Sequence, residues 1–140
     1  LARHLLQPKA MPRARKPPDP DALVALILEA LRREVPDARE GRVRTRHPQR
    51  YRRLDCDGRA LAFLRPRSQA AAGLRVDLTG LWVRPGPWPT EIPGRSGSAS
   101  LLVQTTREAR AAGKFLAWAV RWTRSRLAQE RRGGRPSIGV

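Results

Sequence analysis

Tyr51-Arg-Arg-Leu-Asp-Cys-Asp-Gly-Arg-Ala-Leu-Ala-Phe-Leu64 is the stretch whose reading decides the fold. At its middle stands Asp57-Gly58, a strong two-residue turn signal, because both central residues of a type I′ turn need positive φ. Apolar and polar residues alternate on either side, so two antiparallel strands are expected to meet at this turn. Counting outward pairs Cys56 with Arg59, Leu54 with Leu61, Arg52 with Phe63 and Tyr51 with Leu64. Leu54, Cys56, Leu61 and Phe63 then share one face. Tyr51, Arg53, Asp55, Ala60, Ala62 and Leu64 share the other.

Beyond the hairpin, Pro66 stops the second strand. Leu74, Val76 and Leu78 alternate with Arg75 and Asp77 as a third strand, and Gly80 with Leu81–Val83 extends the meander or turns its corner. Prolines and glycines from Pro85 to Gly97 mark a loop. Leu101, Val103 and Thr105 alternate with polar or apolar neighbours as a last strand. Thr105 with Glu108 three residues later is a capping-box signature. It opens a long helix to about Glu130, with Ala112, Leu116, Ala119, Val120, Thr123 and Leu127 along one side. On the N-terminal side, Val43 and Thr45 alternate with Arg42, Arg44 and Arg46 as a short edge strand that His47-Pro48 breaks. Before it, Leu23, Leu26, Ile27, Leu31 and Val35 recur at helical spacing from Ala22 to Val35. Asp19 or Asp21 is available to cap that helix, Pro20 is tolerated in its first turn, and Pro36 ends it. Helix, four or five mostly antiparallel strands, helix: this is an α+β layer with both helices on one face of a sheet. Residues 1–18 are expected to be a flexible basic arm, 19–130 one domain, and 131–140 a disordered tail.

The chain of 140 residues carries 29 Lys+Arg against 12 acids, a net charge of +17. Nearly all the cations are arginine. Codon bias in a GC-rich genome accounts for arginine over lysine but not for the scarcity of acids. An uncompensated charge of this size repels itself in a compact chain and acquires a use when a polyanion neutralises it. The single cysteine, Cys56, excludes an internal disulfide. No apolar run approaches the ~18 residues of a membrane span, so no membrane partner is expected. The arm up to Lys16 has no acid and starts at Leu1. It reads as a transit-peptide remnant or as an extension upstream of a start at Met11. A cytoplasmic or nucleoid-associated protein fits these features, with organellar import open.

Two basic faces are candidates for nucleic-acid binding. The first is the sheet edge from Arg39 to Arg67, with Arg42, Arg44, Arg46, Arg50, Arg52, Arg53, Arg65 and Arg67 as the phosphate contacts and Tyr51 and Phe63 interleaved. Guanidinium groups grip phosphate in a planar fork, and an exposed aromatic adds a stacking platform. The bland alternative is an edge strand protected by charge, which needs only two or three such residues. The second face is the last helix, with Arg121 and Arg124, where the helix macrodipole favours cations in any case. Trp118 and Trp122 read as core beside a leucine stripe. Trp82 and Trp88, flanking the Pro-rich loop, are candidates for a partner surface.

Catalytic chemistry has little to stand on. Cys56 falls on the apolar hairpin face, and its neighbours Asp55 and Asp57 raise its pKa. His4 and His47 have no second cluster for zinc. Asp55, Asp57, Asp77 and Glu91 are the acids available for a magnesium-dependent nuclease, without the usual lysine beside them. The segment Gly94-Arg-Ser-Gly-Ser98 lacks the spacing of a phosphate-binding loop. No motif calls for a cofactor, a metal or a catalytic residue.

The hairpin Tyr51–Leu64 followed by Gly73-Leu-Arg-Val-Asp-Leu78 resembles the meander of small bacterial proteins of the YjbR/MmcQ type. The likeness follows the order of elements over residues 20–128 and, in wording, the Gly-Arg-x-Leu-Ala-Phe hairpin. It implies helix, antiparallel sheet, helix, and transfers no residue roles. The leading expectation is therefore a nucleic-acid-binding module of low sequence specificity, its arginines on the phosphate backbone. The alternatives are an accessory subunit docking on an acidic protein or ribonucleoprotein, and a metal-dependent nuclease.

Overall fold

The computed structural model describes residues 18–41, 52–66, 73–82, 89–92 and 100–134. Helix α1 spans Pro20–Arg32, with Asp19 as N-cap and Pro20 at the first position, where a missing N–H costs nothing. It ends three residues before Val35, whose N–H still bonds the Leu31 carbonyl and whose side chain is buried in the following turn. Five strands follow: β1 Arg39–Gly41, β2 Arg52–Cys56, β3 Arg59–Pro66, β4 Leu74–Leu78 and β5 Ser100–Val103. They form one antiparallel sheet in the order β1-β2-β3-β4-β5. The edge strand lies at 39–41. The strand expected at 42–46 falls outside the described residues, as do the arm before Pro18 and the chain after Gly134. Helix α2, Thr106–Gln129, opens with both bonds of the predicted capping box and continues through a π-helical turn, Glu130–Gly134.

Leu54, Leu64, Leu74, Val76, Leu101 and Val103 line one face of the sheet and are fully buried beneath the two helices, from which Leu23, Ile27, Leu31, Leu116 and Val120 descend. Each such aliphatic side chain contributes roughly 1.5–3 kcal/mol by leaving water. The helices touch where Gly113 of α2 lies on Ile27 and Ala30 of α1, and again where Arg121 meets Glu34. Residue numbers rise together along both helices, so they run in the same sense.

The hairpin departs from simple counting. Asp57 and Gly58 adopt φ of 57° and 73°, as the turn requires, and Cys56 pairs with Arg59. One step further, Asp55 pairs with Ala60 but Leu54 pairs with Ala62, and Leu61 is the extra residue of a β-bulge. The bulge lets adjacent residues Leu61 and Ala62 both be buried. From there on the register is shifted by one, so Arg52 faces Leu64 and Arg53 faces Phe63. Ala62 and Leu64 therefore join the core, and Phe63 moves to the opposite face. Strict alternation would have sent two apolar residues to the open side, and the bulge relieves that cost.

The carbonyls around the bulge are satisfied by the corner after β4. Thr79 N–H donates to the Leu61 carbonyl at 3.0 Å, and the Ala60 carbonyl accepts from Thr79 Oγ1 at 2.6 Å and from Trp82 Nε1 at 3.1 Å. Trp82, in the 3₁₀ turn Gly80–Trp82, is 1% exposed. It is a core residue and not a partner anchor, because its indole has both an apolar pocket and a hydrogen-bond acceptor inside the protein.

Candidate nucleic-acid interface

Of the arginines singled out from the sequence, Arg52, Arg53, Arg65, Arg121 and Arg124 are described, and each meets a carboxylate. Arg52 donates to Glu40 through Nε and through Nη2 at 2.9 Å, and its Nη1 lies 2.5 Å from Asp21. It ties the start of α1 to the sheet edge, and its hydrogen bond holds the Glu40 carboxyl below its ordinary range against the opposing effect of burial. Arg53 grips Asp55 with two bonds of 2.5 and 3.0 Å, and Arg65 lies 3.7 Å from Asp77. Arg121 pairs with Glu34. Arg124 reaches Asp57 at 2.7 Å and Asp37 at 3.1 Å, pinning α2 to the hairpin turn and to the link between α1 and β1. Arg121 and Arg124 thus hold elements together. Arg42, Arg44, Arg46, Arg50, Arg67 and Trp88 lie outside the described residues.

The acids show where the charge imbalance resides. All 12 fall within the described residues, which carry Lys114 and fifteen arginines. The other thirteen of the 29 cations lie in the remaining segments, which contain no acid at all. The frame is thus close to neutral at +4, and +13 belongs to the segments it carries. Their attachment points are not scattered. The connection 42–51 leaves from Gly41 and returns at Arg52, and 67–72 leaves from Pro66 and returns at Gly73. The meander places these four residues at one end of the sheet, on four adjacent strands spanning roughly 15 Å. Residues 1–17 enter at the same end, since Asp21 of α1 meets Arg52 there. Arg3, Lys9, Arg13, Arg15 and Lys16, then Arg42, Arg44, Arg46 and Arg50, then Arg67 are the ten cations attached there. Both helices begin at this end too, so their partial positive charges add to it.

A second basic surface is the sheet face away from the helices. The register sets Arg39, Arg53, Phe63, Arg65 and Arg75 on it, with Asp55 and Asp77 between them. Phe63 is directly opposite Arg53 and Asp77, and Arg65 is opposite Arg75. Asp77 accepts from Arg75 Nε at 2.8 Å and from the Ser100 hydroxyl. Phe63 is half-buried and takes no part in the core cluster. Arg39 opens the basic stretch read from the sequence, whereas Arg75 was not among the sites read there. Arg75 was visible there only as a polar residue of an alternating strand, and its place beside Arg65 depends on the register.

Asp37, Cys56 and Asp57 bring a thiol and two carboxylates within 4.8 Å of one another. The sequence did not bring Asp37 into this group. Arg124 Nη2 occupies the cluster, 3.2 Å from the sulfur, and holds the Asp57 carboxyl below its ordinary range. Burial pushes the Cys56 thiol up to about 11, with Arg124 opposing and Asp57 and Asp37 reinforcing the shift. A guanidinium in the middle of the donor set suits an ion-pair knot and not a cation site. Of the four acids weighed for magnesium, Asp55, Asp57 and Asp77 are each held by an arginine.

No family model, curated protein or solved structure matches this chain. The likeness to YjbR/MmcQ-type proteins stands on the hairpin wording and the order of elements alone. Among the described residues no helix is long and apolar enough to cross a membrane.

Proposed function

We propose that the protein binds nucleic acid with low sequence specificity, holding the phosphate backbone chiefly with the acid-free segments at one end of its sheet. The partition of charge carries this reading. All twelve acids lie within the described frame, while the segments attached at one end carry ten cations and no acid. A charge-protected edge strand would need far fewer, and a run of arginines without acids is what counterion release from a polyanion rewards. Arg52, Arg121 and Arg124 have a different task, because their guanidinium groups hold carboxylates of neighbouring elements.

The test is binding to labelled DNA and RNA, single- and double-stranded, across a salt series. Affinity is expected to fall steeply with salt. Replacing Arg42, Arg44, Arg46 and Arg50 together with Gln is expected to reduce the log–log slope by about 3, at roughly 0.7–0.9 per lost phosphate contact. Absence of binding at ~50 mM salt, or a slope unaltered by these four changes, would overturn the proposal. The accessory-subunit reading loses one of its two anchors, since Trp82 is buried.

A further inference from the structure

We propose that the open face of the sheet, with Phe63 between Arg53, Arg65 and Arg75, binds single-stranded nucleic acid by stacking an unpaired base on the Phe63 ring. This rests on the function proposed above and names the form of nucleic acid that the protein selects.

The bulge at Leu61 is what creates the site. By moving Phe63 out of the core register, it sets a half-buried aromatic ring on a face that neither helix covers. An aromatic residue needs no such position for stability, since Leu61, Ala62 and Leu64 already fill β3's share of the core. Three of its neighbours on this face are cationic: Arg53 lies across one strand pair, Arg65 two residues along its own strand and Arg75 diagonally across the other pair, where Asp77 is directly opposite. With Arg39, four arginines on this face oppose two aspartates.

Those aspartates prepare the arginines. Asp55 takes two N–H groups of Arg53, and Asp77 takes Arg75 Nε and lies 3.7 Å from Arg65. A guanidinium has five N–H donors. Arg53 therefore keeps three beyond its fork to Asp55, and Arg75 keeps four beyond its bond to Asp77. Held in place by a carboxylate, such a planar group loses less rotamer freedom when a phosphate arrives.

The shape decides the form. In a duplex the faces of the bases are stacked on one another, and a side-chain ring on a sheet face reaches none of them without unstacking. In a single strand every base offers a π-face, which is why stacking tolerates any sequence. The unpaired base is thus the ligand that this ring and these cations fit.

The test uses the full chain with 12-nucleotide single strands, DNA and RNA, each carrying one 2-aminopurine, and a duplex of the same length. Wild type and Phe63→Tyr are expected to bind the single strands alike and to quench the 2-aminopurine. Phe63→Leu keeps an apolar side chain of similar size, so the fold survives. It is expected to lose about tenfold in single-strand affinity, together with the quenching, and to leave duplex affinity unchanged. Phe63→Leu binding and quenching like wild type would overturn this inference while leaving the salt-dependent binding intact. Equal losses for duplex and single strand would overturn it as well. A wild-type protein that binds neither form at low salt would instead remove the function on which it rests.

Discussion

Cys56 and Asp57 sit side by side, yet Arg124 treats them differently. The thiol is 1% exposed, and burial outweighs the guanidinium, so its pKa rises to about 11. At pH 8 it is neutral and covered, which makes it a poor nucleophile. An aromatic disulfide reagent is expected to label it no faster than the chain unfolds; prompt labelling of the folded protein would contradict this. Asp57 is exposed at the turn, and Arg124 lowers its pKa. A depressed carboxylate contributes stability that is complete above its unfolded pKa and is lost as pH falls through the folded one. The melting temperature is therefore expected to drop below about pH 4, with Glu40, held by Arg52, adding in the same direction. In Arg124→Gln the melting temperature is expected to be lower at pH 7 and the further drop on acidification smaller. Cys56 as a core residue was legible from the hairpin alternation. Arg124 as its neighbour was not, since 68 residues separate them.

Helix α2 meets α1 through a residue with no side chain. A Cβ on Gly113 would lie 2.5 Å from the Ile27 carbonyl oxygen and 2.6 Å from Ala30 Cβ. Gly→Ala inside an exposed helix adds about 1 kcal/mol of stability. Here the backbone contact reverses the sign, and Gly113→Ala is expected to destabilise by about 1–3 kcal/mol in denaturant unfolding. At the start of α2, Thr105 Oγ1 accepts from Glu108 N–H at 3.0 Å while Glu108 reaches back to Thr105 N–H. Thr105→Ala is expected to cost about 1 kcal/mol. This cap, the Asp57-Gly58 turn and the alternation of β4 were all readable, because each is decided by residues a few positions apart. The bulge was not. Ala60-Leu-Ala-Phe-Leu64 fits two registers equally well as a string, and packing of Leu61, Ala62 and Leu64 against the helices chooses between them. The readable hint was apolar residues on both alternating sets of β3.

Two sets of arginines stand apart over the whole molecule. One group is paired and ties elements together, and the other lies in acid-free segments attached mainly at one end. The two are expected to separate experimentally. Replacing Arg42, Arg44, Arg46 and Arg50 with Gln should flatten the salt dependence of binding with little change in melting temperature. Replacing Arg52, Arg121 and Arg124 with Gln should lower the melting temperature by several degrees. A loss of stability in the first set, or none in the second, would contradict this division. By itself the sequence determined the class of fold, its two helices and most of its strands, and the excess of cations, because periodicity, turn chemistry and charge are properties of the chain before it folds. Only the tertiary structure decided which arginines are already neutralised and which face Phe63 takes. Both depend on a one-residue bulge and on contacts between residues as far apart as Asp57 and Arg124, which come together only when the sheet and helices pack.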